Sequence, residues 1–243
     1  GFYGSWEEGF LGGPRIQEFE KEWSKKFGVK YTVSVNSNTS GLYCAMGAVG
    51  ISPGDEVIVP CTTMSATSVA PLIYGGIPVF ADIEDETYCL DKTKVESLIT
   101  EKTKAIIAVN LFGHPSQLRD LRKLADDNNI FLIEDNAQSP LAKEFDCYTG
   151  TVGHIGVFSL NYHKLVHTGE GGMCVTNNEL LAKRLQMIRN HAEAVVEAKG
   201  EKNLVNMLGH NFRLGEIECA IGIEQLKKLK MLLMMLLILE KKK

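Results

Sequence analysis

The sequence predicts an α/β fold of three layers, with a mostly parallel sheet of seven strands between two layers of helix. Short β-branched apolar runs alternate with longer segments of helical period along most of the 243 residues, which is the pattern of a parallel sheet covered on both faces. No internal repeat, low-complexity linker or break in composition interrupts that alternation before residue 230, so the region reads as one domain. A hydrophobic content of 44% over this length is enough to bury one substantial core.

The elements follow in order. Residues 14–27 place Ile16, Phe19, Trp23 and Phe27 at three- and four-residue spacing, and Gly28 ends that helix. YTVSV is the first strand, and the small, hydroxyl-bearing run Asn36-Ser37-Asn38-Thr39-Ser40-Gly41 after it opens the helix GLYCAMGAVG. EVIVP, IPVFADI and KAIIAVN are the next three strands, and Gln117 to Asn129 is a second amphipathic helix, on Leu118, Leu121 and Leu124. IFLIED, GVFSL and GMCVT complete the seven strands, and Glu179 to His191 is a third helix.

A net charge of −4 leaves no basic excess and argues against nucleic acid as a partner. The cysteines at 44, 61, 89, 147, 174 and 219 form no CxxC pair and mostly sit in apolar runs, so buried free thiols are expected, not disulfides or zinc ligands. GFYGSWEEGFLGG lacks a basic stretch followed by an apolar one, so no secretory leader is expected and a cytoplasmic protein is. After QLKKLK comes MLLMMLLILEKKK, whose apolar run from Met231 to Leu239 is far shorter than the roughly 20 residues that span a bilayer. It is expected to be buried against another surface, to form an interface, or to be an artefact of cloning or assembly.

In a parallel sheet of this kind a ligand sits beyond the carboxyl ends of the strands, where helix amino termini present unpaired N–H groups. Ser37, Asn38 and Thr39 suit a capped helix start and, equally, an anion site. Glu134 and Asp135 end a strongly apolar strand, where a carboxylate needs a cation, a metal or solvent. Lys164 stands between the strand GVFSL and the glycine-rich run HTGEGG, placed to become a nucleophile if its amine is desolvated. His154, His167, His191 and His210 match no metal spacing and read as structural, as does His114 in its loop. The charged runs Glu20 to Lys26 and Lys227 to Lys230 read as solvated helix faces.

Taken together, GDEVIVP, EDNAQ, FSLNYHKLVHTGEGG and GHNFRLGEIECAIGIEQLKKL resemble the DegT/DnrJ/EryC1/StrS family of sugar aminotransferases, of the aspartate-aminotransferase fold type. The resemblance runs from about Gly12 to Lys230. It implies a pyridoxal 5'-phosphate (PLP) site in the family's large domain, residues 1–230, with residues 231–243 as an anomalous tail where the family has a small carboxy-terminal domain. It implies Lys164 as the Schiff-base lysine and Asp135 as the partner of the pyridine nitrogen. Ala137 is implied against a ring face, Gln138 near the ring hydroxyl, and Ser37, Asn38, Thr39 and Ser159 on the phosphate. Asn211 is implied to reach the neighbouring subunit's cofactor, and hence a homodimer with shared active sites.

Two positions depart from the family pattern. In PCTTMSAT, Met64 stands where an aromatic usually covers the ring, and Asn38 stands where the phosphate turn usually has glycine; asparagine tolerates a left-handed backbone there better than most residues. The activity implied is transfer of an amino group from L-glutamate to a nucleotide-linked keto-sugar, leaning toward 4-keto sugars of the perosamine type. Three alternatives stand beside it. One is sugar dehydration, where relatives carry histidine for the lysine and His163 adjoins Lys164. The second is a non-catalytic chain that binds cofactor or a partner through its tail. The third is another fold-type-I lyase or a plain α/β binding module.

Overall fold

The computed structural model describes residues 11–192 and 207–240, with only the backbone of residues 230 and 236–240. The leader expectation at residues 1–10 and the last three residues of the tail lie outside that range. Nine strands form: β1 Tyr31–Val35, β2 Glu56–Pro60, β3 Ile77–Ala81, β4 Thr103–Val109, β5 Phe131–Asp135, β6 Lys143–Glu144, β7 Cys147–Tyr148, β8 Ile155–Ser159 and β9 Gly172–Thr176. Seven make one sheet in the order β1-β9-β8-β5-β4-β2-β3, and β6 and β7 pair as a separate hairpin. Neighbours from β8 across to β3 are parallel, whereas β9 runs antiparallel to both β1 and β8. The start of β9 therefore lies at the same edge as the carboxyl ends of the other six strands.

Helices α1 Pro14–Phe27, α2 Asn38–Ala48, α3 Ser65–Val69, α4 Lys92–Leu98, α5 Leu118–Asp127, α6 Glu179–Arg189 and α7 Glu216–Glu240, with short 3-10 helices at Ala70–Tyr74 and Leu111–Gly113, complete the described elements. The expected bounds hold to within a residue or two for α1, α5 and α6. Helix α1 begins on a proline, which has no N–H to leave unpaired, and ends at Gly28 with φ 69°, the left-handed cap that glycine takes without a Cβ clash. Its Phe19, Trp23 and Phe27 are buried, each contributing about 2 kcal/mol or more. Trp23 stacks on Phe27 at 4.8 Å and meets Phe158 edge-on at 5.3 Å.

Strand alternation sorts the core into two faces. Val33, Val35, Ile133, Val157 and Cys174 point to the side covered by α2 and α6. Their neighbours Phe158, Met173 and Val175 point to the side covered by α1 and α7, and Leu132 to the side covered by α5. Two buried cationic side chains of α6 tie it to other helices. Arg184 donates to the carbonyls of Gly47 and Ala48 at the end of α2, and Arg189 donates to Glu20 at 2.8 Å.

One expectation needs correction. Cys44, Cys89, Cys174 and Cys219 are buried free thiols, but Cys61 is exposed and Cys147 partly so, because Cys61 follows β2 into the open turn before α3. Of the three readings of the tail, burial within this chain is not what the described residues show: α7 continues through it as far as Glu240, with Met234 and Met235 63% and 54% exposed. No described helix is long and apolar enough to cross a membrane.

Candidate active site

At the shared edge of β1, β4, β5, β8 and β9 lies a cavity of ≈ 160 Å³. The strand ends supply its walls by the alternation that sorts the core. Asp135 shares a face with Ile133, and Ser159 with Val157, so both turn toward the amino end of α2. Glu134 turns the other way. Its carboxylate accepts from Val152 N at 2.8 Å, Gly153 N at 2.6 Å, Asn110 Nδ2 at 3.1 Å and Gly150 N. Burial pushes the Glu134 carboxyl above the usual carboxylate range, against the pull of those donors. The two neighbouring carboxylates thus have separate duties: Glu134 closes the 150–153 loop, and Asp135 faces the cavity.

Asp135 is 5% exposed. Its Oδ2 accepts from Thr67 Oγ1 at 2.7 Å, and its Oδ1 accepts from Asn38 Nδ2 and from the Ala137 N–H, each at 3.2 Å. Burial raises its pKa; the donors Thr67, Ala137 and Asn38 and the charge of Lys164 act in the opposite sense. A carboxylate desolvated to this degree fits a cationic ligand group placed against it.

Ser37 caps α2, its Oγ accepting from Ser40 N at 3.0 Å. The first N–H groups of α2, with the hydroxyls of Thr39 and Ser159 beside them, form an anion cradle in which the helix dipole favours negative charge. Asn38 is already the first residue of α2 and is not among the residues of positive φ. The turn therefore makes no left-handed demand on it, and its side chain serves Asp135 instead. Gly172 opens β9 against this turn: a Cβ there would lie 2.6 Å from the carbonyl carbon and oxygen of Ser37 and 2.9 Å from Asn38 N, so only glycine lets strand and cradle meet.

Lys164 lines the same cavity, and its amine is near enough for its charge to act on Asp135. Its backbone N–H closes a turn on Asn161 O at 2.9 Å. Asn161 Nδ2 donates to Glu170 at 2.6 Å, which ties the lysine turn to the glycine-rich run that leads into β9. Met64, 70% exposed, Ala137 and Gln138 complete the wall. His163 also borders the cavity, its ring edge-on to Tyr162 at 4.9 Å. Asn211 lies outside it, exposed, with its carbonyl accepting from Asn36 Nδ2 at 3.3 Å. His114 is exposed, with Nδ1 2.9 Å from the Pro115 carbonyl, the loop role expected of it.

Thr67 is the residue that sequence inspection missed. It is fully buried, and helical spacing places it one turn beyond Thr63, whose hydroxyl it meets at 2.8 Å. Within PCTTMSAT the one available signal was that i, i+4 pair of threonines, one before a short helix and one on it.

Comparison with known proteins bears on this geometry. The DegT/DnrJ/EryC1/StrS aminotransferase family matches residues 6–235. The chain is 38% identical over 216 residues to a GDP-perosamine synthase of Escherichia coli O157:H7, covering 89% of this chain and 58% of that protein. Among solved structures, an aminotransferase from Psychrobacter cryohalolentis superposes with a TM-score of 0.82 at 32% identity, over 89% of this chain and 56% of the other. A GDP-4-keto-6-deoxymannose-3-dehydratase with a trapped PLP-glutamate geminal diamine superposes with a TM-score of 0.80 at 33% identity, over 90% and 61%. The chain thus spans a little under six tenths of the curated relatives' length.

Proposed function

The chain belongs to the DegT/DnrJ/EryC1/StrS aminotransferase family, and from that premise we propose that it carries the cofactor-binding part of a PLP-dependent sugar aminotransferase. The reaction moves an amino group from L-glutamate to a nucleotide-linked keto-sugar, with a 4-keto sugar of the perosamine type favoured. Glutamate leaves as 2-oxoglutarate and the sugar C=O becomes CH–NH2, so atoms and electrons balance without an outside oxidant or reductant. One observation supports the reading most: Lys164 and Asp135 face one cavity, with the lysine's charge acting on a carboxyl that burial has lifted above its usual range.

The residues present fit the cofactor. Its phosphate matches the α2 amino terminus with Ser37, Asn38, Thr39 and Ser159. Its ring nitrogen matches Asp135, the one cavity carboxylate that is both buried and supported by three donors. When bound, PLP supplies an aldehyde that captures amines and a protonated ring that takes up the electron pair released at the substrate carbon. Asp135 would hold the proton on the ring nitrogen, and the donors Thr67 and Asn38 favour its ionised form against the effect of burial. Lys164 Nζ would be the amine that holds the aldehyde, and as a free amine at the same cavity it would be the base that moves the proton at the carbon bearing the amino group. Ala137 and Met64 would cover the ring faces, and Gln138 would address the ring hydroxyl. Asn211, outside its own cavity, is free to reach the cofactor of a second subunit, which makes the active form a homodimer. Within the chain, residues 1–230 form the cofactor-binding domain.

Sugar dehydration is the second reading, favoured by His163 beside Lys164 at the cavity and by the dehydratase among the structural neighbours. The test is reduction of the PLP-loaded protein with borohydride, followed by peptide mapping, and then a single-turnover reaction with L-glutamate. Attachment of the cofactor to Lys164, lost in Lys164→Ala, with one 2-oxoglutarate released per site, is the expected result. Wild-type protein that takes up no cofactor on Lys164 overturns the proposal. Uptake on Lys164 with a keto-sugar that loses water and gains no nitrogen would favour dehydration.

A further inference from the structure

One backbone group outside the cavity governs what the cavity wall presents. After β4 the chain turns tightly through Leu111–Gly113, and Phe112 at its centre sits at φ 52°, ψ 21°, a left-handed conformation that side chains other than glycine's rarely adopt. The Phe112 ring is 81% exposed, so its own burial does not offset the strain. Strain of this kind persists only where the surroundings impose it, and it gathers at functional sites. In this turn the Phe112 N–H meets Gln138, whose Oε1 accepts it at 3.0 Å.

A backbone N–H can only donate, so the atom it meets must be the amide oxygen and not the amide nitrogen. The Gln138 side chain lines the cavity beside Asp135 and Ala137, and no described residue accepts from its Nε2. With the oxygen held by Phe112, the NH2 group is the end left for a ligand. Were the Phe112 N–H turned away, the amide could present either end.

We propose that the left-handed Phe112 turn is a positioning device: through its N–H it fixes the Gln138 amide with a donor toward the cavity, so that the site selects a deprotonated ring oxygen on its ligand. The inference rests on the PLP reading, in which that oxygen is the ring's phenolic one. It makes Phe112 a positioning residue and assigns the role to its backbone. The aromatic ring has no part in it.

The experiment uses the full chain titrated with PLP, reading both its affinity and the pH midpoint of the bound cofactor's visible absorbance. Phe112→Gly keeps the N–H and adopts the turn without strain, so affinity and midpoint stay within about twofold of wild type. An amide-to-ester replacement at Phe112 removes the N–H while keeping the ring, and moves the midpoint up. Gln138→Glu still accepts from Phe112 but places an anionic oxygen where the donor was, moving the midpoint up by about one unit, a tenfold shift in the proton equilibrium. The ester adds nothing further in the Gln138→Glu background. An ester variant that binds PLP with the wild-type midpoint overturns the inference, as does a Phe112→Gly shift as large as the ester's; should the ester protein not fold, a wild-type midpoint for Gln138→Glu overturns it alone. Wild-type protein that develops no visible band at all overturns the cofactor reading itself.

Discussion

Replacing Thr67 by valine removes one hydroxyl with almost no change of shape, and the hydroxyl removed is the 2.7 Å donor to Asp135 Oδ2. That oxygen then has no described donor in a site where Asp135 is 5% exposed. A hydrogen bond to a charged group contributes about 1.5–3 kcal/mol, so the ionised carboxylate is destabilised by about 2 kcal/mol and its pKa climbs further. The sign follows from the direction of the shift. Burial already holds the Asp135 carboxyl above the usual range, so the cofactor-free protein has this part of its stability in full below the unfolded carboxylate pKa and loses it as pH rises toward the folded pKa. Thr67→Val widens that window upward. Its deficit should be smallest at low pH, where the carboxyl is protonated, and grow to about 2 kcal/mol as pH rises through the folded pKa, a fall of roughly 4–8 °C in melting temperature for a domain of this size. Glu134 is also raised by burial, but it is common to both proteins and cancels in the difference. The assay is thermal unfolding of wild type, Thr67→Val and Thr67→Ser over about pH 4–8, with the serine variant expected to restore the wild-type pH dependence. A deficit independent of pH, or a serine variant as impaired as valine, would refute the view that Thr67 serves Asp135.

Gly172→Ala places a Cβ within 2.6 Å of the Ser37 backbone; strand and cradle must separate, at a cost of about 1–3 kcal/mol, and phosphate affinity of the isolated protein, measured by calorimetry, should fall with the melting temperature. Arg189→Met leaves Glu20, only 12% exposed at its side chain, without its buried partner, and chemical denaturation should show a loss of about 3–5 kcal/mol. Alkylation of the native protein should modify Cys61 first, since Cys174 and Cys219 are buried with pKa values pushed up to about 12; mass mapping of the first labelled peptide checks this.

Local pattern alone located the elements that build the site. The seven apolar runs became the seven strands of the sheet, with no run misassigned, because each is bounded by turn residues and too short to be a helix. The same pattern identified the strand ends, and with them Ser37, Asp135 and Lys164; Ser159 was implied by the family resemblance, and the structure brings all four to one cavity. Asn38 and Met64 stood out as departures from the family pattern, and the structure gives Asn38 a new duty on Asp135.

Other features depend on which segments meet in space, and no window of sequence contains that. Whether Glu134 or Asp135 faces the ligand depends on which helix covers which face of β5, and that is settled by α2 lying on the Ile133 side. The reversed direction of β9 brings Gly172 against Ser37, 135 positions away by number, and spacing along the chain carries no trace of it. Thr67 and the Phe112 N–H each act on a residue from another strand's end, through bonds that exist only once the sheet has assembled. Sequence determined the chemistry on offer at each strand end, because burial periodicity is a local property; tertiary structure decided which groups face one another, because hydrogen bonding and desolvation depend on distance through space.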